Sequence, residues 1–510
     1  MKLLEPVIGL EIHFQLKTKS KMFCSCPNEE ATAPNVFVCP ICMGHPGALP
    51  VPNEQAVRFT ILFGLALGCH INSSTKFDRK HYFYPDLPKG YQISQFDVPI
   101  AEKGFLDIIT PSSFRDQARI GITRIHLEED AAKSFHSETE NKTYVDFNRG
   151  GTPLAEVVTE PDFRSAREAK VFLQEMRLIA RTLGVSNADM EKGEMRCDVN
   201  VSLREVDKTG AVVGLLFHPK TEIKNVNSFK AVERVIEYEI QRQTKLWETN
   251  SPPATTTTRG WNDTKQVTEE QRDKEDSGDY RYFPEPDIPP LNLSSLIETI
   301  KTTLPELPAA RRRRFVDEYF LNYEEAKQIC EDIELADFAE QMFSELFAWL
   351  EALPDRENLD EEAIEKENRR IVRLATGWLT SKLGGLMADK GLTIKTQKIT
   401  PENFAEFITM VAKGRLSTNN GLSVLQKMLE TGADPEHVIE EHSLNLVSDE
   451  DELTSAVEKI IAANPAEAER YRAGEDKLIK FFLGQLMKET GGKADPTVAS
   501  RLLKRLLEVK

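Results

Sequence analysis

The sequence predicts an α+β fold: a mostly antiparallel sheet with a few helices fills the first 295 residues, and an all-helical region follows. Alternating apolar and polar segments with Gly, Pro and Asn punctuation recur at Val7 to Leu16, Thr143 to Arg149, Arg196 to Arg204 and Thr221 to Asn225, the period of half-buried strands. From about residue 296 that alternation is lost and helical patterning replaces it.

Within the first part, Ala166 to Leu183 and Val232 to Trp247 show i, i+3, i+4 apolar spacing and are predicted as helices. Residues 250 to 258 and Glu269 to Gly278 lack periodicity and are expected as loops over the sheet. Tyr280 to Pro290 closes the domain. Thr400-Pro401-Glu402 has the form of an N-cap with proline at the first helical position, and Phe404, Phe407, Ile408 and Val411 form the buried stripe of the helix that follows. The expected domains are therefore 1–295, 296–400 and 401–510.

The chain has 510 residues, 40 % hydrophobic and 29 % charged, a balance that suits two to four globular domains at roughly 100 to 200 residues each. With 65 Lys and Arg against 82 Asp and Glu, the net charge of -17 excludes wholesale wrapping of nucleic acid, so RNA contact requires a local basic patch. The best patch starts at Lys477, where the remaining sequence carries eight basic and three acidic side chains. The longest apolar runs, such as Phe59 to Leu67, fall short of the roughly 18 residues a membrane span needs, and no signal or transit pattern follows Met1. No membrane association and a cytoplasmic location are expected.

Cys24-Ser25-Cys26 and Cys39-Pro40-Ile41-Cys42 supply four thiolates on tight turns, a set that suits a closed, structural zinc site; a metal-free reduced loop is the competing reading. In Val7 to Leu16 the strand period puts Glu11, His13 and Gln15 on one face and Leu10, Ile12, Phe14 and Leu16 on the other. Similar polar faces follow: Tyr144, Asp146 and Asn148; Arg196, Asp198, Asn200, Ser202 and Arg204; and Glu222 with Lys224. With His126-Leu127-Glu128-Glu129-Asp130 and Glu156, these carboxylates and imidazoles could converge on a hard cation carrying a nucleotide phosphate, for which magnesium and ATP are the natural candidates. No P-loop or dinucleotide fingerprint occurs, so phosphates must be met by side chains. The stretch Phe77 to Tyr91 offers Arg79, Lys80 and Lys89 among aromatic rings such as Tyr84, and Asn200, Glu222 and Lys224 complete the candidate nucleotide-binding set.

The strings Val7-Ile8-Gly9-Leu10-Glu11-Ile12-His13, Pro46 to Pro50, Phe77 to Gln95, Val145 to Arg149, Met195 to Asn200, Glu222 to Asn225 and Asp279 to Asp287 closely resemble the family of aspartyl/glutamyl-tRNA amidotransferase B subunits. Ser448-Asp449, Asn464-Pro465, Phe481 to Gln485 and Thr490 to Lys493 extend the resemblance into a YqeY-like helical tail. The resemblance implies a cradle similar to glutamine synthetase and guanido kinases. That cradle phosphorylates the side-chain carboxylate of Glu or Asp misacylated on tRNA(Gln) or tRNA(Asn), and ammonia then completes Gln-tRNA or Asn-tRNA. It also implies that His13, Glu129 and Glu156 hold magnesium, with Glu11 and Asp198 beside them, and that Lys80 and Lys89 meet phosphate or the substrate carboxylate. Strand parity favours Glu128 over Glu129, so that choice stays open here.

The chain shows no amidase Ser-Lys signature, so ammonia must come from a partner. The resemblance supplies a glutaminase of the amidase type (the family's A component) and a small third protein (its C component) in a heterotrimer, with the tail gripping the tRNA body. Gly150, Ala155 and Thr256-Thr257-Thr258 depart from the family pattern, and the acidic Asp355 to Glu367 segment looks longer than usual. A non-catalytic tRNA-binding adaptor and a free-glutamate ligase are the competing functions.

Overall fold

The computed structural model describes residues 3–110, 115–137, 139–271, 280–351, 360–442, 450–490, 494 and 496–508. The chain divides into two units, Met1–Pro308 and Ala309–Lys510.

The first unit opens with β1 (Leu3–Gln15) and α1 (Glu54–Ala66). Next come β2 (His70–Ile71), β3 (Ser74–Thr75), β4 (Asp78–His81), β5 (Tyr91–Ser94), β6 (Ala101–Ile109) and β7 (Gln117–Glu129). After β8 (Lys133–His136) and β9 (Thr143–Asp146), β10 (Pro153–Thr159) leads into α2 (Ala166–Thr182). The strands β11 (Met195–Val206), β12 (Val212–Val213) and β13 (Thr221–Val226) precede α3 (Phe229–Glu248). The unit ends with β14 (Thr257–Asn262), β15 (Val267–Glu270), β16 (Phe283–Pro284), β17 (Leu291–Asn292) and α4 (Ser294–Lys301).

The main sheet runs β15-β14-β13-β11-β1-β10-β7-β6-β2, with β12 paired to β11. Only β13 and β14 are parallel neighbours. Leu10, Ile12 and Phe14 of β1 are buried while Glu11, His13 and Gln15 are not, so the alternation read from the sequence is realised. Phe14 meets Phe63 of α1 edge to face at 5.1 Å, and α2 and α3 extend the same apolar layer through Phe172, Met176, Val232 and Ile236. Helices cover one face and leave the other polar.

Ser165 and Ser228 cap α2 and α3 by accepting from the amides of Glu168 and Ala231. That second cap starts α3 at Phe229, ahead of the Val232 start that apolar spacing predicts. The predicted 250–258 loop also shortens: Thr257 and Thr258 pair with Thr221 and Glu222 as β14, order that comes from the partner strand. Glu269 and Glu270 belong to β15, and the rest of that expected loop, from 272, lies outside the described residues, as do 355–359 of the acidic segment.

The segment Thr143 to Arg149 does not join the main sheet. β9 pairs only with β8 as a separate ribbon. Asp146 and Asn148 accept hydrogen bonds from the backbone amides of Asn35 (3.0 Å) and Phe37 (2.8 Å), so they brace the cysteine loop.

The second unit is helical, with α5 (Pro308–Tyr319) entering it from its boundary. Its first core is built from α5, α6 (Tyr323–Cys330), α7 (Ile333–Glu351), α8 (Glu361–Gly377), α9 (Gly384–Asp389), α10 (Pro401–Ala412), α11 (Thr418–Thr431) and α12 (Pro435–Glu441). A π-helical turn, Trp378–Leu383, joins α8 to α9. A second core unites α13 (Glu450–Ala463), α14 (Pro465–Arg472), α15 (Ile479–Glu489) and α16 (Pro496–Glu508). No helix among the described residues is long and apolar enough to cross a membrane.

Thr400 caps α10 through the Asn403 amide, Pro401 sits in its first turn, and Phe404, Phe407 and Ile408 are fully buried; Val411 is only partly so. The packing does not break at residue 400. Phe404 meets Phe338 of α7 at 6.0 Å and Phe407 meets Trp378 at 5.1 Å, so α10 shares the core of the preceding helices, and the core changes between α12 and α13. Nor does the sheet unit end at 295, since Ile297 and Ile300 of α4 join its core.

Glu406 of α10 faces Asp434, the cap of α12. Burial first, then the Asp434 carboxylate, push its pKa up to about 7. A folded-state pKa above the unfolded value means that this contribution is fully present at acid pH and lost as pH rises through 7. Glu406→Gln is therefore expected to raise the Tm of the helical unit by about 1–3 °C at pH 8 and leave it unchanged at pH 4.5, read by scanning calorimetry.

Candidate active site

The polar face of the sheet owes its chemistry to register. His13 on β1 stands opposite Glu156 on β10, and Glu156 stands opposite His126 on β7. His13 Nε2 lies 3.3 Å from Glu128 and 3.4 Å from Glu156, and His126 Nε2 lies 3.2 Å from Glu156. Ligand atoms of His13, Glu128 and Glu156 all fall within 4.8 Å of one another.

Glu128 and Glu156 are buried, yet both are held below the usual carboxylate range. Burial opposes this; for Glu156 the imidazoles of His126 and His13 overcome it, and for Glu128 the His13 hydrogen bond and the Lys80 charge do so. His13 is pushed up to about 10, its burial outweighed by the two carboxylates. Two ionised carboxylates and one imidazole at this separation fit a divalent cation, which would take the place of the imidazole proton. The buried Nδ1 of His126 has no hydrogen-bond partner among the described residues, which leaves a polar atom available on the same side chain.

Glu129 is not in this group. One residue beyond Glu128 on an alternating strand, it turns to the other side, where it is ion-paired with Lys89 and accepts from the Ile93 amide at 3.0 Å. Strand parity thus agrees with the geometry, which places Glu128 rather than Glu129 beside His13 and Glu156. Lys89 is displaced for the same reason: it lines a small cavity with Cys24, Cys42 and Gly44. Arg79 is likewise engaged, in a two-pronged pair with buried Glu285 (2.7 and 2.8 Å) and 4.4 Å above the Tyr91 ring.

Lys80 does reach the site. Burial disfavours its charge, but Glu128, Tyr282 and Glu156 hold it above the ordinary lysine range, and its ammonium rests 5.1 Å from the Tyr280 ring centre. Tyr84 is half-exposed beside Tyr82, with centroids 6.0 Å apart.

A second group adjoins on β1, β11 and β13. Glu11 stands opposite Asp198, and the Asn200 amide donates to Glu11 at 3.0 Å. Lys224 lies 3.0 Å from Glu222 and 3.6 Å from Asp198. Burial raises the Asp198 carboxyl, and Lys224 offsets part of that rise. Glu11 and Asn200 also line a cleft with Ser202, Lys220 and Thr256.

The four cysteine sulfurs lie within 4.8 Å of one another, none in a disulfide. Cys39 and Cys42 are 3.8 Å apart, the edge of a sulfur tetrahedron with bonds of about 2.3 Å. Cys42 is drawn down to about 5, chiefly by a hydrogen bond from Cys24, against burial and with help from the Cys39 amide and Lys21. This all-sulfur donor set fits zinc.

Sequence reasoning missed the links that hold the site together. Buried Asp130 accepts from Arg196 at 2.6 Å and pairs with Arg149 at 3.0 Å, tying β11 to the end of β7 across 66 residues. Ser94 supports Glu128 at 3.3 Å. Asp130 belongs to a run of acids visible in the sequence, but nothing local identifies its partner. Ala155, a departure from the family pattern, is buried in the core on the far face of β10.

Comparison with known proteins matches residues 6–298 to the family described as "GatB/GatE catalytic domain" and residues 359–507 to "GatB domain". The chain is 45 % identical over 513 residues to the aspartyl/glutamyl-tRNA(Asn/Gln) amidotransferase B subunit of Dehalococcoides mccartyi (strain CBDB1), covering 99 % of each. It is 42 % identical to the protein of the same name from Thermotoga petrophila, again over 99 % of each. It is also 42 % identical to the chloroplastic/mitochondrial glutamyl-tRNA(Gln) amidotransferase B subunit of Sorghum bicolor, over 98 % of this chain and 86 % of that one. Similarity of this extent, over both the sheet unit and the helical tail, shows that the chain belongs to the family of aspartyl/glutamyl-tRNA(Asn/Gln) amidotransferase B subunits.

Proposed function

We propose that the chain is the ATP-dependent kinase and transamidation component of a tRNA-dependent amidotransferase, acting on Glu carried by tRNA(Gln), on Asp carried by tRNA(Asn), or on both. The observation that carries this reading is the convergence of His13, Glu128 and Glu156, with Lys80 beside them, on the polar face of an antiparallel sheet. The sheet is a cradle like that of glutamine synthetase and guanido kinases, which bind nucleotide without a P-loop.

A carboxylate is a poor acyl electrophile at neutral pH, so the reaction needs a better leaving group. An oxygen of the substrate side chain attacks the γ-phosphorus of ATP, and the bond from phosphorus to the ADP oxygen breaks. Ammonia then attacks the acyl carbon, phosphate leaves with the bonding electrons, and the nitrogen sheds a proton to give the amide. Magnesium, when bound, neutralises phosphate oxygens. His13, Glu128 and Glu156 hold that ion, and Lys80 places a fixed positive charge where the transferring phosphoryl group gains negative charge. Glu11, Asp198, Asn200, Glu222 and Lys224 bind on the nucleotide side, and Tyr84 offers a ring for stacking. Arg79 and Lys89 support these groups from their internal ion pairs. The four cysteines hold a structural zinc.

A partner glutaminase supplies ammonia, and a small third protein completes a heterotrimer. The basic stretch from Lys477 contacts the tRNA body, and the bacterial relatives support a cytoplasmic setting.

With the glutaminase and the small partner co-expressed and ATP, magnesium, ammonium and Glu-tRNA(Gln) supplied, Glu156→Gln and Glu128→Gln are expected to lower Gln-tRNA formation by about 10³-fold or more. Glu129→Gln should retain most of kcat while lowering the Tm, because it uncouples Lys89. Equal turnover by wild type and Glu156→Gln would instead favour a non-catalytic tRNA adaptor. Removing residues 443–510, which leaves the core of 315–439 whole, should raise KM for aminoacyl-tRNA roughly tenfold at low salt and leave KM for ATP unchanged. An unchanged KM for aminoacyl-tRNA would remove the tail from tRNA binding.

A further inference from the structure

We propose that Lys21 is the charge-compensating residue of a metal–thiolate cluster at the four cysteines, and that it locks this cluster to the turn at the site-bearing end of β7. Lys21 is 1 % exposed, as deeply buried as the core leucines. Its ammonium donates to the carbonyls of Phe37 (2.7 Å) and Phe147 (3.2 Å) and lies 4.0 Å from Cys42 Sγ. Among the described residues it forms no ion pair with a carboxylate. A buried ammonium with only carbonyl partners is costly, and side chains in this state are ordinarily neutralised by a counter-charge. The cysteines are the only source of one in contact with it among the described residues. Four thiolates on a divalent ion carry a net charge of two minus and supply it. The position of Lys21 therefore fits a thiolate-bearing cluster at this loop rather than four neutral thiols.

Lys21 and its neighbours also connect that site to the catalytic face. The Lys21 amide donates to Cys26 O at 3.0 Å, and the next amide, that of Met22, donates to Gly151 O at 2.7 Å. Gly151 donates to Asp130 O at 2.9 Å, and Asp130 donates to Thr152 O at 2.8 Å, two residues beyond Glu128. Gly151 has a φ of +86°, and a side chain there would lie against the Lys21 stem and Cys42. A second link runs through Gly44, whose backbone packs so closely on the Lys89 stem that a Cβ would collide with it; Lys89 in turn pairs with Glu129. The cluster thus fixes both sides of the β7 terminus.

The test uses the full chain with its partner proteins and needs neither ATP nor tRNA, so its failure is distinguishable from failure of the phosphoryl-transfer reading. Lys21→Met keeps the unbranched stem, shorter by the terminal atom, and removes the charge. Zinc release to a chromogenic chelator should be about 10- to 100-fold faster than from wild type, with Lys21→Arg recovering part of the loss. On wild-type protein alone, stripping the zinc should speed hydrogen exchange at the Met22 and Gly151 amides by tenfold or more, a readout that stands even where Lys21→Met does not fold. Zinc-reconstituted wild type that binds no metal, or Lys21→Met that releases zinc at the wild-type rate, would overturn the charge-compensating role. Unchanged exchange at Met22 and Gly151 on stripping would overturn the coupling to β7.

Discussion

Everything at the candidate site depends on the hydrogen-bonded register of three adjacent antiparallel strands. Because β1, β10 and β7 pair so that His13, Glu156 and His126 lie in one row, His13 meets two polar side chains more than a hundred residues further along the chain on a single face. A slip of one residue in β1 would carry His13 into the apolar layer and bring Ile12 or Phe14 to the polar face. The same alternation that builds the core thus places the chemistry. Burying Phe14 against Phe63 fixes the register that holds His13 opposite Glu156.

The arrangement solves a charge problem. Carboxylates as buried as Glu128 and Glu156 would ordinarily become neutral, but His13, His126 and Lys80 keep them ionised. Elsewhere the chain closes its pairs internally: Arg79 with Glu285, Lys89 with Glu129, Arg196 and Arg149 with Asp130. Those closed pairs hold the walls, whereas Glu128 and Glu156 stay ionised beside His13.

What could be read from the sequence was whatever has a local period. Strand β1, the polar face of β11, the caps of α10 and the preference for Glu128 over Glu129 all follow from residues within a few positions of one another. What could not be read depends on partners far along the chain. Arg79 and Lys89 look like phosphate ligands until Glu285, 206 residues away, and Glu129 are seen to occupy them. The ribbon of β8 and β9 has the same alternation as a main-sheet strand, and only its pairing shows that it braces the cysteine loop. Residue 400 reads as a boundary because a helix cap stands there, yet aromatic packing carries the core across it.

On the proposed reading, the register of these strands presents an imidazole nitrogen and two carboxylates to the cation that accompanies the nucleotide. Pulsed electron paramagnetic resonance of the manganese–ATP complex, with the protein carrying ¹⁵N-histidine, tests it directly. A directly coordinated nitrogen is expected, lost in His13→Ala and retained in His81→Ala. Absence of nitrogen coupling in the wild type, or a coupling that survives His13→Ala, would contradict it.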